Sequence, residues 1–370
     1  MDSVSLERRD EAATAEPRKK SKGLGTLTAA VFIAGEMAGS GVLALPRAVV
    51  DSGWIGLVLI VYFCINAGYG GTRLGVCWAI LEERYPEYRN PVRNPYATIA
   101  YRAVGKWGRV VGVGAILTTA FACIFIFAQI VIDGSNSTLP VKHEVHGFSS
   151  FFLAFGSILF AFGGASTFPT IQNDMVQKDK FSVSVIIGFS VILALYLPVA
   201  TAGYFVYGEA VHPNIVLTLQ NSIWVMLANI LLAIHLVLAF LIVINPVCQE
   251  LEEICHVPHE FNWKRCLIRT GMMCIMIFIG ESIPKFGKIL SLVGGSSITL
   301  LTFVLPSLFY MRLCDQEKQV NWPERNIPAY IRIYLWELIL IGLIGGTAST
   351  YNAILEIFKT NSITKPCYLQ

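Results

Sequence analysis

The chain has 370 residues, 54% hydrophobic and only 14% charged, with a formal net charge of +3. Its mean hydropathy is +0.59, and charge is scarce beside the roughly 25% usual in soluble domains. Both exclude a water-soluble globular protein and point to an all-α polytopic membrane protein. The small, scattered positive charge gives no handle for nucleic acid, and no phosphate loop, metal-ligand cluster or nucleophile–base pair supports an enzyme or a bound cofactor.

Residues 1–23 are polar and mixed in charge, with Arg18, Lys19, Lys20 and Lys22 abutting the first apolar run, and read as a disordered cytoplasmic tail. That run is too long for a signal-peptide core and lacks a small-residue cleavage site, so it is expected to stay as an anchor. Apolar spans are predicted at about 24–49, 54–81, 109–132, 149–170, 181–203, 223–247, 266–281, 287–311 and 331–351, nine helices within a transmembrane domain over 24–355. With the N-terminus inside, nineteen of the 28 Lys and Arg fall in cytoplasmic segments, against Lys142, Lys285, Lys359 and Lys365 outside. The asymmetry orients the chain and sends its short tail, 356–370, to the extracytoplasmic side. The sequon Asn136-Ser137-Thr138 falls in an external loop, which makes Asn136 a glycosylation candidate. The loop 82–108 interleaves charge with Tyr85, Tyr88, Tyr96 and Tyr101, and reads as an interfacial helix or as an ordinary solvated loop. The nine cysteines show no metal spacing, and no structural disulfide is expected.

Two spans carry residues that an unbroken helix resists. The first holds Gly35-Glu36-Met37-Ala38-Gly39-Ser40-Gly41-Val42-Leu43-Ala44-Leu45-Pro46. Pro46 removes the partner of the Val42 carbonyl, and the glycines let a ligand approach the main chain. Amide groups freed there suit an anion, although Gly35 and Gly39 also fit a helix-packing seam. The second holds Phe162-Gly163-Gly164-Ala165-Ser166-Thr167-Phe168-Pro169, again glycine, hydroxyl, then proline. Paired interruptions of this kind point to a transporter site between inverted repeats, with the two breaks facing each other across the substrate. Pro198, Pro246 and Pro306 lack glycine clusters and read as kinks whose freed groups neighbours satisfy.

Intramembrane polar residues are functional candidates. Glu36 could accept a coupling proton or pair with a substrate ammonium; its bland reading is a buried, hydrogen-bonded carboxyl. His235, mid-span among leucines, suits a proton relay or a neutral packing role. Arg73 and Glu337 read as residues that snorkel, pair or act directly. Asn245-Pro246 with Gln249, Glu250, Glu252 and Glu253 reads as a cytoplasmic gate or an acidic helix end.

These motifs, with Leu74-Gly75-Val76-Cys77-Trp78, Leu159–Ala165, Phe168-Pro169-Thr170-Ile171-Gln172 and Asn245-Pro246-Val247-Cys248-Gln249, resemble the amino acid/auxin permease family, most closely its animal proton-coupled amino acid transporter branch. The resemblance runs over about residues 23–355. It implies an eleven-helix carrier of two inverted five-helix repeats, like the sodium-coupled leucine transporter fold, moving small amino acids. By analogy the substrate carboxylate and ammonium lie at Gly39, Ser40 and Gly41 and at Phe162, Gly163 and Gly164, with Ser166 beside them. Nine spans depart from eleven: 112–132 looks like the family's fifth helix, so the third and fourth are missing at a seam near Val110–Gly114. The expectation is a proton-coupled secondary carrier working by alternating access in the plasma membrane or a lysosomal or vesicular one. A sodium-coupled carrier, or a non-transporting sensor or defective short form, remains the alternative.

Overall fold

The computed structural model describes residues 23–84, 106–136, 140–144, 146–257, 262–282, 286–316, 323 and 325–359. All but the last residue of the predicted N-terminal tail, the tyrosine-rich part of the loop after Arg84, Ser137 and Thr138, and residues 360–370 lie outside this set. Helix α1 (Thr26–Met37) meets α2 (Gly41–Ser52) at a bend of 62°. Then come α3 (Ile55–Arg84), α4 (Lys106–Asn136), α5 (Phe148–Ala161) and the short α6 (Phe168–Asn173). They are followed by α7 (Phe181–Tyr207), α8 (Ile223–Ile254) and α9 (Trp263–Ser282). Helix α10 (Phe286–Val293) runs through π-helical turns at Gly294–Ile298 and Leu300–Val304 into α11 (Leu305–Asp315), and α12 (Ala329–Phe358) closes the described chain.

Every predicted span is therefore helical, but not every one crosses a membrane by length and composition. Six helices among the described residues are long and apolar enough, or seven if the bent α1–α2 pair is one span. Helix α5 has 14 residues, about 21 Å against the roughly 30 Å of bilayer hydrocarbon. Helix α9 opens with Lys264, Arg265 and Arg269, and none of its residues is buried. The 149–170 run is shortened by the glycine break predicted in it, and the 266–281 run is preceded and interrupted by cations. Residues 110–114, the expected seam, lie inside the continuous helix α4.

The broken pair sits at the centre. Helix α1 packs against α7 and α4, α2 against α5 and α7, α3 against α7 and α11, and α5 against α10 and α12. The core between them is aromatic, with Phe63 edge-on to Phe155 at 4.9 Å and to Phe303 at 5.7 Å. Helix α8 lies outside, against α4, and α9 folds back on it. Glu252, buried at the inner end of α8, accepts from Arg269 at 2.6 Å and from Arg265 at 3.0 Å. Burial would raise its pKa, but these guanidinium bonds outweigh that and hold it below the usual carboxylate range. The pairing is present above the unfolded-state pKa and is lost only as pH falls through the depressed folded value. The acidic stretch after Pro246 is thus, at Glu252, the anchor of a helical hairpin.

Prolines and glycines act here through packing as much as through breaks. Pro46 lies inside α2 and rests on Gly203 of α7, where a Cβ would come within 2.6 Å of the Pro46 ring. Pro306 frees the carbonyl of Thr302, which points at Gly70 of α3, where a Cβ would lie 2.4 Å from that oxygen. Gly294, in the π-helical turn, meets Gly156 of α5 so closely that a Cβ would stand 1.9 Å from the Gly156 oxygen. Gly294→Ala should therefore destabilise the protein by about 1–3 kcal/mol or prevent folding. Gly271→Ala, at a helical site with nothing within 4 Å, should be neutral or slightly stabilising. Thermal midpoints of the two purified variants in detergent check the contrast.

Candidate functional site

The first break spans Ala38 to Ser40. Helix α1 ends as Ala38 N–H donates to Ala34 O at 2.8 Å, and Gly39 N–H turns back to Met37 O at 2.8 Å. Among the described residues no backbone carbonyl accepts from the N–H of Ser40 or Gly41, at the positive end of α2. Two carbonyls of the break are met by side chains from other helices. The Tyr196 hydroxyl on α7 donates to Met37 O at 2.9 Å, and the Thr119 hydroxyl on α4 donates to Ala38 O at 2.7 Å. Tyr196 and Thr119 are fully buried.

The second break spans Phe162 to Gly164, where α5 ends and a short 3-10 turn, Ala165–Thr167, leads into α6. Gly164 has φ +153°, a conformation that side chains rarely adopt, and a Cβ there would lie 2.5 Å from Met37 Cγ. Pro169 is the second residue of α6, where no helical N–H is needed. Both prolines thus belong to the half-helices that follow the breaks, and the interruptions lie at the glycines.

The two breaks face and touch each other. A Cβ on Gly41 would lie 2.6 Å from Ala161 Cα. Glu36, near the end of α1, accepts a short hydrogen bond from the Thr167 hydroxyl, which is also 2.9 Å from Gly164 O. Glu36, Gly39, Ser40, Gly163 and Gly164 are the half-buried members, while Gly41, Phe162 and Thr167 are buried. The side chain of Ser166 lies outside the described ones. Gly163 abuts Ile298 of the first π-helical turn, a neighbour the sequence did not announce.

His235 joins the first break from the other side. It is 0% exposed on α8, with Nδ1 2.8 Å from Thr119 Oγ1. The threonine has one proton, given to Ala38 O, so in this pair Nδ1 is the donor. The other ring nitrogen, Nε2, lies 3.3 Å from where a Cβ of Gly39 would stand. Glu36 and His235 therefore flank the same break, one linked to it through Thr167 and the other through Thr119. Neither Arg73, which faces a groove between α3 and α7, nor Glu337, exposed on α12, joins them.

Thr119, Thr167 and Tyr196 are the site residues that sequence reading missed. A hydroxyl inside an apolar helix is common, and only the fold shows which one reaches a broken backbone. Each half of the bent pair is also tethered to the chain flanking α7, α1 at its start and α2 from its middle. Leu24 N–H donates to Asp174 O at 2.8 Å and Leu24 O accepts from Val176 N–H at 3.0 Å, before α7 begins. Arg47 of α2 donates to Val211 O at 3.2 Å and Glu209 O at 3.4 Å, just after α7 ends, and pairs with Asp51 at 2.7 Å.

A family model described as "Transmembrane amino acid transporter protein" matches residues 22–138 and 112–355. The two matched segments overlap over 112–138, at the expected seam. Amino acid transporter AVT1H of Arabidopsis thaliana is 23% identical over 361 residues, covering 78% of this chain and 82% of its own length. Amino acid transporter AVT3B of the same plant is 27% identical over 235 residues, 63% of this chain and 54% of its own. Lysine histidine transporter-like 1, also from Arabidopsis thaliana, is 26% identical over 206 residues, 52% of this chain and 45% of its own. The chain thus spans about half the length of the last two relatives.

Thr119→Val keeps the shape but removes the hydroxyl that donates to Ala38 O and receives His235 Nδ1. It should lower stability by about 1–3 kcal/mol, read as a drop of several degrees in the thermal midpoint.

Proposed function

The chain belongs to the transmembrane amino acid transporter family, and from that premise we propose that it is a proton-coupled secondary carrier of small amino acids working by alternating access. The observation that carries the proposal is the meeting of two helix breaks that leave polar groups in an apolar interior. The N–H groups of Ser40 and Gly41 suit a substrate carboxylate. The Glu36 carboxylate and the main chain of Phe162, Gly163 and Gly164, with Ser166, suit its ammonium. Close approach of the breaks at Gly41 and Gly164 favours a substrate with a small side chain. Relatives named amino acid transporters support the substrate class.

Proton coupling follows from counting hydrogens. The Thr167 hydroxyl has one proton and two acceptors in reach, Glu36 and Gly164 O. When Glu36 is protonated, it donates to Thr167 Oγ1 and the threonine donates to Gly164 O. When Glu36 is ionised, the threonine proton turns to the carboxylate and the Gly164 carbonyl loses its donor. A proton on Glu36 thus changes the bonding of the other break. His235, beside Gly39, is a second polar side chain at the same place. Sodium held by break carbonyls is the competing coupling ion, and sodium-dependent uptake at constant pH would favour it.

The proposed orientation has a cytoplasmic N-terminus and an extracytoplasmic C-terminus, in the plasma membrane or a lysosomal or vesicular one. Asn136, exposed at the end of α4, would carry a glycan there, and Asn136→Gln should abolish a glycosidase-sensitive mobility shift. A second reading, an amino-acid sensor or non-transporting form, is favoured by the overlap of the two family matches at 112–138. It predicts binding without flux.

The test is uptake of labelled glycine, alanine and proline by cells expressing the chain, at mildly acidic and neutral external pH, normalised to surface protein. Acid-stimulated uptake is expected. Gly41→Val should abolish it, because its Cβ would strike Ala161 Cα at 2.6 Å. Glu36→Gln should keep residual uptake but lose the acid stimulation, since the amide donates to Thr167 at every pH. No flux from a folded surface population would refute the carrier reading.

A further inference from the structure

Between α3 and α7 runs a groove of about 440 Å³ that the proposed transport site does not use. Its walls are one face of each helix, and its floor is Gly68, whose missing side chain leaves room against Phe189. The groove is graded along its length. Cys64, Ile65 and Leu193 line one end, while Thr72, Arg73 and Ser182 line the other, toward Arg84. From Cys64 to Arg73 is about 13 Å along the helix, the reach of a substantial part of an acyl chain.

Arg73 is the charge at the polar end. Its guanidinium carbon lies 4.9 Å from the Tyr69 ring centre and 5.0 Å from that of Tyr310, which fixes its plane. Among the described residues no carboxylate pairs with it, its buried Nε has no acceptor, and no acidic residue lines the groove. An arginine inside a span carries a penalty of about 2.5–3.5 kcal/mol at the bilayer centre. A phosphate diester offers the bidentate, charged acceptor that a guanidinium fits best.

We propose that this groove is a binding site for an anionic phospholipid of the leaflet at the Arg84 end of α3, with one acyl chain against Gly68 and Phe189 and its phosphate on Arg73. The apolar length of the groove selects a lipid over a soluble phosphate, and the lone cation selects an anionic headgroup over a zwitterionic one. The proposal is independent of whether the chain transports.

The experiment is a thermal melt of the purified full chain in detergent, titrated with phosphatidylglycerol, phosphatidylcholine or glycerol phosphate. Phosphatidylglycerol should raise the midpoint at roughly tenfold lower concentration than phosphatidylcholine, and glycerol phosphate should have no effect. Arg73→Gln should melt cooperatively in phosphatidylcholine yet lose the preference, and Arg73→Lys should keep part of it. Ile186→Trp, which fills the groove without touching the charge, should weaken both lipids. Equal response to the two lipids, a preference that survives Arg73→Gln, or a full shift with glycerol phosphate alone would overturn the proposal.

Discussion

In hydrocarbon a backbone amide or carbonyl without a partner costs several kcal/mol, so a helix can be broken there only if other groups meet the exposed main chain. The carbonyls of Met37 and Ala38 are met by the hydroxyls of Tyr196 and Thr119, from α7 and α4. These two bonds do more than relieve the break. They set where α4 and α7 stand relative to α1, and through Thr119 they bring His235 of α8 to the same point. The centre of the bundle is organised by repairing its own interruption.

The second break is repaired differently. Its short turn uses bonds from neighbouring main chain, Phe162 N–H to Leu159 O and Gly163 N–H to Phe160 O, and a positive φ at Gly164. What remains polar there is turned toward α1. The Glu36–Thr167 contact is therefore the joint between the two breaks and, in the proposed mechanism, the place where a proton would enter the hydrogen-bond count. Structure and proposed chemistry share one pair of residues.

Much of this was legible in the chain. Apolar runs located every helix, and the glycine-rich stretches located both breaks, because a helix signals its own interruption locally. The prolines lie past the breaks, inside the following half-helices: Pro169 in the first turn, where proline is tolerated, and Pro46 a turn further in, packed on Gly203. Thr119 and Tyr196 were illegible because their role depends on which carbonyl another helix presents, and Thr167 because its partner Glu36 comes from another helix. The π-helical turns before Pro306 were also hidden: Gly294 and Gly295 resemble any packing glycines until Gly156 and Ser349 are seen against them. The seam at 110–114 read as a junction of unlike segments, yet a helix runs through it unbroken.

The bent pair is fastened to both ends of one helix, α7: by Leu24, just ahead of α1, to the chain before it, and by Arg47, midway along α2, to the chain after it. The arrangement is that of a jointed strap laid along a stave, with the joint at Ala38–Ser40 between its two fastenings. Between them the Tyr196 hydroxyl of α7 holds the Met37 carbonyl, so a swing of the elbow away from α7 costs that bond before it strains either fastening.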